Sequence, residues 1–187
     1  MEDIVTGATA EVELTVPLQP ERVWELVCDV SRIGEWSPEC VWAAWTLRSG
    51  DTPRAGDRFR ARNEYEGGFV ATVECVVTEA DRPHVFAWVV LDERQAVDGA
   101  GSIWRYLLRP TGQGTLVTHT FTHGTGVTGL RVGAEHSPGG PAGVVTGRLG
   151  ELRRNMAATL RAMTGSGDGP GQPEAGGGPG RAARSSR

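Results

Sequence analysis

Apolar and polar residues alternate with a period of two along much of the chain, and the period lengthens near both ends. "ATAEVELTVP" (8–17) puts Val12, Leu14 and Val16 on one face, the signature of a half-buried strand. Pro17 and Pro20 end it. In "PERVWELVCDV" the spacing becomes helical: Val23, Trp24, Leu26, Val27 and Val30 share a face. Pro20 suits a first helical turn, and Glu21 lies near its positive end. "SRIGEW" predicts a second short helix with Ser31 as N-cap. Pro38 pushes Ser37 away from helical dihedrals and ends that helix within "EWSPEC" (35–40).

Six strands are then expected in succession. They are "VWAAWTL" (41–47), "RFRARNEY" (58–65), "FVATVECVVTEA" (69–80), "HVFAWVVL" (84–91), "SIWRYLLRP" (102–110) and "TLVTHTFTH" (115–123). In the second of these, Phe59, Ala61, Asn63 and Tyr65 oppose Arg58, Arg60, Arg62 and Glu64. The span 124–143 is rich in Gly and Pro, and a connection of that length is read as functional or mobile, a gate over a cavity. A long helix follows over 144–163, with Val145, Leu149, Leu152, Met156, Leu160 and Met163 in its apolar stripe. Arg148, Glu151 and Arg154 fall off the stripe. Gly147 and Gly150 lower its helix propensity, or permit close approach of a ligand or strand. Strand, two short helices, six strands and one long helix make an α+β fold. A curved antiparallel sheet of about seven strands wrapping the long helix would leave a cavity, because a bent sheet and a straight helix do not touch along their whole length.

Composition adds bounds. The 187 residues suffice for one domain with a full core. Residues 165–187 hold eight glycines and three prolines and no aromatic or branched aliphatic residue, which predicts a disordered Gly/Pro/Arg tail. The expected division is an N-terminal extension (1–7), a domain (8–164) and the tail (165–187). Up to residue 164 there are 16 Arg against 21 Asp plus Glu, a net −5, which argues against a nucleic-acid partner. No lysine is present, so Schiff-base chemistry through a lysine is excluded. Three cysteines, without a Cys-x-x-Cys, suggest unpaired thiols in a reducing compartment. The N-terminus has no apolar stretch of the kind a signal peptide needs, and no run is long enough for a membrane span. A soluble cytoplasmic protein is expected.

The order of elements, together with "PERVWELVCDVSRIGEWSPEC", "AGDRFRARN", "VTEADRPHVFAWVV", "WRYLLRP", "GQGTLVTHTF" and "GRLGELRRNMAATLRAM", resembles the START-like superfamily (helix-grip, SRPBCC), and within it the polyketide cyclase/dehydrase branch. The resemblance covers about residues 8–164. It implies a helix-grip fold with a deep apolar cavity under the long helix, used to bind lipids, sterols, polyketides or hormones. Some members carry ligands and others catalyse cyclisation or dehydration, so the fold alone does not fix the function.

The inward face carries Trp45, Phe59, Asn63, Phe86, Trp88, Trp104 and Tyr106, and, with the register of the last strand left open, Val117, His119 and Phe121. Each aromatic is ordinary core in a filled domain and a ligand wall in a hollow one. Asn63, Tyr106 and His119 are the polar candidates. Trp36 is expected to plug the seam between the helix pair and the sheet near the cavity entrance, or to line that entrance. Trp45 belongs to the cavity and Trp42 to the opposite face. His119 is the candidate acid/base, with Tyr106 to polarise a carbonyl. His119 and His123 share a face without a third ligand, so no metal is expected, and no cofactor. Cys28 reads as core, Cys75 is left facing either way, and Cys40 has no local activator. Asp29, Glu35 and Glu39 read as solvated surface. The leading expectation is binding of a small hydrophobic or aromatic molecule by a monomer or homodimer. The alternatives are a cofactor-independent cyclase, aromatase or dehydratase, and an interaction module that uses the acidic exterior or the tail.

Overall fold

The computed structural model describes residues 3–165. The expectation of a disordered tail falls on residues that lie, Gly165 aside, outside the described ones. The alternating segments form seven strands: β1 (Thr9–Val16), β2 (Cys40–Leu47), β3 (Arg58–Glu64), β4 (Val70–Asp81), β5 (Val85–Val90), β6 (Ser102–Thr111) and β7 (Gly114–His123). The helical segments form α1 (Pro20–Cys28), α2 (Gly129–Glu135) and α3 (Pro141–Thr164). All strands join one antiparallel sheet in the order β1-β7-β6-β5-β4-β3-β2, so β5 is central and β1 and β2 are the edges. One face of the sheet meets α1 and α3, which gives the α+β helix-grip arrangement.

Three local expectations are corrected. The segment after α1 is a 3-10 turn (Val30–Glu35) with Asp29, not Ser31, at its N-cap position. The Ser31 hydroxyl instead donates to the Asp29 carboxylate. Close packing of this turn on β2 has a steric reason: a Cβ on Gly34 would lie 2.3 Å from the Val41 carbonyl oxygen. The Gly-rich connection is not structureless. It folds into α2, whose N-cap Thr128 accepts a hydrogen bond from the Arg131 backbone N–H at 3.2 Å. The long helix also starts earlier, with Pro141 in its first turn, and ends at Gly165 in left-handed conformation (φ 68°).

Two apolar layers hold α3 on the sheet. Leu160 and Met163 join the main core with Val16, Val23, Trp24, Val27, Phe86, Leu108 and Val117. Leu152 and Met156 pack on Ala10 and Phe121, near the β1 edge. Residues 3–7 are tied to the same end of the sheet: Val5 is buried with Ala134 and Val145, and Asp3 pairs with Arg131 at 3.1 Å. Among the described residues, no strand approaches Gly147 or Gly150 closely. A Cβ on Gly147 would meet open space, and one on Gly150 only the Arg154 side chain at 3.7 Å.

Candidate ligand site

Strand register turns separate aromatic positions into one continuous surface. Trp88 faces Trp104 across β5–β6, Phe86 faces Tyr106, and Trp104 and Tyr106 face Phe121 and His119 across β6–β7. Trp45 faces Phe59 across β2–β3. Directly opposed side chains on one face are close enough to touch. Trp88 and Trp104 stack at 6.0 Å between centroids with planes 2° apart, and Tyr106 stacks on His119 at 3.9 Å. Phe59 reaches Trp88 at 6.1 Å across β4, whose inward residues Cys75 and Val77 are small enough to let it pass. The face of Cys75 is thereby decided: it is buried in the main core, 1% exposed.

The surface is not uniformly sealed. Phe86, Phe59, Tyr106, His119 and Phe121 are buried, whereas Trp45, Trp88, Trp104 and Asn63 are only half-buried. Trp88 lies on the central strand, under the helix layer. Its partial exposure means that α3, which packs toward the β1 edge, leaves the face open toward β2–β5. His119 is 4% exposed, behind Tyr106 and Trp104. Both of its ring nitrogens are buried and, among the described residues, lack a hydrogen-bond partner. Trp36 is half-buried against the main core beneath the Arg32 guanidinium, while Trp42 is 49% exposed on the other side of β2.

The margin between α3 and β2 is spanned by charge rather than by apolar packing. Arg148 donates to both Glu39 oxygens, at 2.6 and 2.8 Å, and to Glu151 Oε2 at 2.7 Å. Asn155 Nδ2 donates to Glu39 Oε2 at 3.1 Å, and the Arg148 guanidinium lies 5.1 Å over the Tyr65 ring. The three charged side chains are 13–18% exposed. A separate cleft of about 370 Å³ opens at the opposite end of the strands, between α1 and the β2–β3 and β4–β5 connections. Arg48, Asp51, Arg82 and Glu25 make its walls polar, and it meets the aromatic surface through Trp45 and through Trp24, which lies edge-on to Phe86 at 6.0 Å. It is not the apolar cavity expected from the sequence.

Comparison with known proteins places this geometry. The sequence model of the family described as polyketide cyclase / dehydrase and lipid transport matches residues 7–164. The chain belongs to that family. Solved structures of similar fold include the di-domain ARO/CYC StfQ from the steffimycin biosynthetic pathway, at 12% identity and TM-score 0.65, with 86% of this chain and 50% of that one covered. Others are the Polyketide_cyc-like protein of Corynebacterium glutamicum (23% identity, TM-score 0.58, 85% and 90% covered) and TTHA0849 of Thermus thermophilus (16%, 0.60, 84% and 94%). The chain spans about half the length of StfQ. At these identities the likeness shows the helix-grip fold alone. No curated protein matches the chain.

In this polyketide cyclase/dehydrase family member, burial sets the electrostatics of the site. It pushes the His119 imidazole down to about 3, so the ring is neutral at physiological pH, and it raises Tyr106 above the ordinary phenol range. Burial also pushes the Cys40 thiol up to about 11 and raises Cys28 and Cys75 further, which leaves no thiolate for nucleophilic attack. Desolvation works against the Arg148 charge, but hydrogen bonds to Glu39 and Glu151 outweigh it and hold the guanidinium charged. His123 does not join His119. Its Nδ1 lies 2.8 Å from the Gly124 carbonyl oxygen and its Nε2 2.6 Å from Thr128 Oγ1, which ties β7 to α2. Among the described residues, no three His, Cys, Asp or Glu side chains are grouped to hold a metal, and no helix is long and apolar enough to cross a membrane. Sequence reasoning missed the Glu39–Arg148–Asn155 link. Its one local trace is the i, i+3 spacing of Arg148 and Glu151.

Proposed function

We propose that this protein binds a small hydrophobic or aromatic molecule over the Trp88–Trp104 surface, between the sheet and α3, with a polar group of the ligand hydrogen-bonded to His119. The observation that carries this reading is the unpartnered state of both buried His119 nitrogens, set among stacked aromatics. Burying a polar group without a partner costs about 1–3 kcal/mol. A ligand hydroxyl or carbonyl recovers that cost where the apolar walls supply no donor or acceptor. Half-buried tryptophans above an otherwise closed core supply the apolar contact area. Trp36, Trp45, Phe59, Asn63, Phe86 and Phe121 complete the surroundings. The family description, which includes lipid transport, is consistent with carriage of such a molecule.

The test is native mass spectrometry of the freshly purified full chain, followed by extraction and identification of bound small molecules. Titration of the six tryptophans by fluorescence then follows binding directly. A chain that carries nothing and shows no saturable change across lipids and polyphenols refutes the reading.

A second reading, cyclisation or dehydration of a poly-β-carbonyl chain, draws support from the stacked Tyr106–His119 pair and from the name of the family. An imidazole with a pKa near 3 is a weak general base at neutral pH, which favours binding over proton transfer. Unchanged turnover of a poly-β-carbonyl substrate in His119→Ala and Tyr106→Phe would remove these two residues from that mechanism. The small-molecule partner and a cytoplasmic location belong to the same proposal. An interaction module resting on the tail draws on residues outside the described ones.

A further inference from the structure

The proposed ligand site has a charge pattern that bears on which molecules it admits. Its interior polar groups are Asn63, Tyr106 and His119. None carries a charge at neutral pH, since burial keeps His119 deprotonated and Tyr106 protonated. On the α3–β2 margin the cation is Arg148, and it is committed: Glu39 takes two of its hydrogen bonds and Glu151 a third, at 2.6–2.8 Å, whereas Arg48 stands 5.0 Å over the Trp45 ring at the other end of β2. Asn155, the neutral donor beside them, also points to Glu39. Two carboxylates against one guanidinium leave this half-buried rim with one excess negative charge. On the inward face of β3, Asn63 stands in line with Phe59 and Ala61, while Arg58, Arg60 and Arg62 point outward.

An ion moved out of water needs a counter-charge or a set of committed hydrogen bonds. An anion entering past the α3–β2 margin would cross a negative rim into a neutral interior. We infer that this site, on the reading that it binds ligands at all, selects uncharged molecules and rejects carboxylates, with Glu39 and Glu151 as the specificity-determining residues at its rim. An ester, a phenol or a ketone fits; a free fatty or aromatic acid of the same shape does not.

The experiment uses a matched pair, methyl 2-naphthoate and 2-naphthoate, titrated at pH 7.5 into the full chain with tryptophan fluorescence as readout. The expected result is saturable binding of the ester and at least tenfold weaker binding of the acid. In the double variant Glu39→Gln, Glu151→Gln the gap narrows at least threefold. Equal or tighter binding of the acid by the wild-type protein overturns the inference, and this arm needs no variant to fold. A gap unchanged in the double variant, shown to be folded by circular dichroism, overturns the role given to the rim. If neither probe saturates, it is the binding reading itself that fails for aromatic ligands, and the inference falls with it.

Discussion

A histidine whose two ring nitrogens are buried without partners has given up hydration and gained nothing in exchange. In the free protein His119 is therefore a cost, of about 1–3 kcal/mol. His119→Phe keeps a flat ring beside Tyr106 and removes the unpaired atoms. It is expected to raise stability at pH 7 by that amount while weakening binding of hydroxyl-bearing ligands. Urea unfolding of both proteins checks it, and a loss of stability in the variant would show that the ring has partners. The pH dependence has a definite sign. Above about pH 6.5 the ring is neutral in folded and unfolded chains alike. As pH falls toward 3, the unfolded chain takes up the proton and the folded one does not, so stability falls with falling pH. By pH 5 this amounts to about 2 kcal/mol from His119, and His123, also lowered by burial, adds in the same direction. Unfolding at pH 7 and pH 5 should show a smaller acid loss in His119→Phe. Gly34 is the other residue with an assigned reason: Gly34→Ala forces a methyl against the Val41 carbonyl and should cost more than about 1 kcal/mol in the same assay.

At the scale of elements, α3 combines an apolar stripe on one flank with a polar link on the other. Gly147 sits on an exposed turn with no close neighbour, so Gly147→Ala should stabilise the protein by about 0.5–1 kcal/mol through helix propensity. A loss instead would mean that a ligand or partner needs that space. The Glu39–Arg148 link joins elements 109 residues apart in the chain and is mostly shielded from water. A double-mutant cycle with Glu39→Gln and Arg148→Met is expected to give a coupling above about 1 kcal/mol. The exposed Arg22–Glu25 pair should give less than about 0.5 kcal/mol in the same assay. Equal couplings would mean that the link does not hold α3 to β2.

At the scale of the whole molecule, the described residues end just past α3. Gly165 in left-handed conformation closes the helix, and Met163 is already in the main core. A chain truncated after residue 166 is expected to melt within about 1 °C of the full chain, because the removed residues carry almost no apolar surface to bury. A larger drop, measured by calorimetry, would place part of the tail on the domain. The α+β architecture, the seven strands and the long helix were legible because periods of two and 3.6 are local properties of the chain. α2 was not legible, since Gly129, Gly133 and the flanking Gly and Pro residues mask its propensity, and it is held by Thr128 capping and by Val5 packing on Ala134. Nor was the start of the 3-10 turn: Ser31 has the composition of an N-cap, but its contact with Asp29 depends on geometry that composition does not express.

The sequence by itself determined that Trp45, Phe59, Trp88, Trp104 and Tyr106 face inward, because a strand sends successive side chains to opposite faces; the register of the last strand, which puts His119 and Phe121 beside them, came from the pairing of β6 with β7. Only the tertiary structure decided which of them touch, which are sealed and which are open. Register set Tyr106 against His119, and the placement of α3 toward β1 left Trp88 half-exposed. It also gave Glu39, an ordinary surface acid in "EWSPEC", a partner in Arg148. Such pairings bring together residues far apart in the chain, and no local pattern encodes them, because chain connectivity and packing must first close the distance.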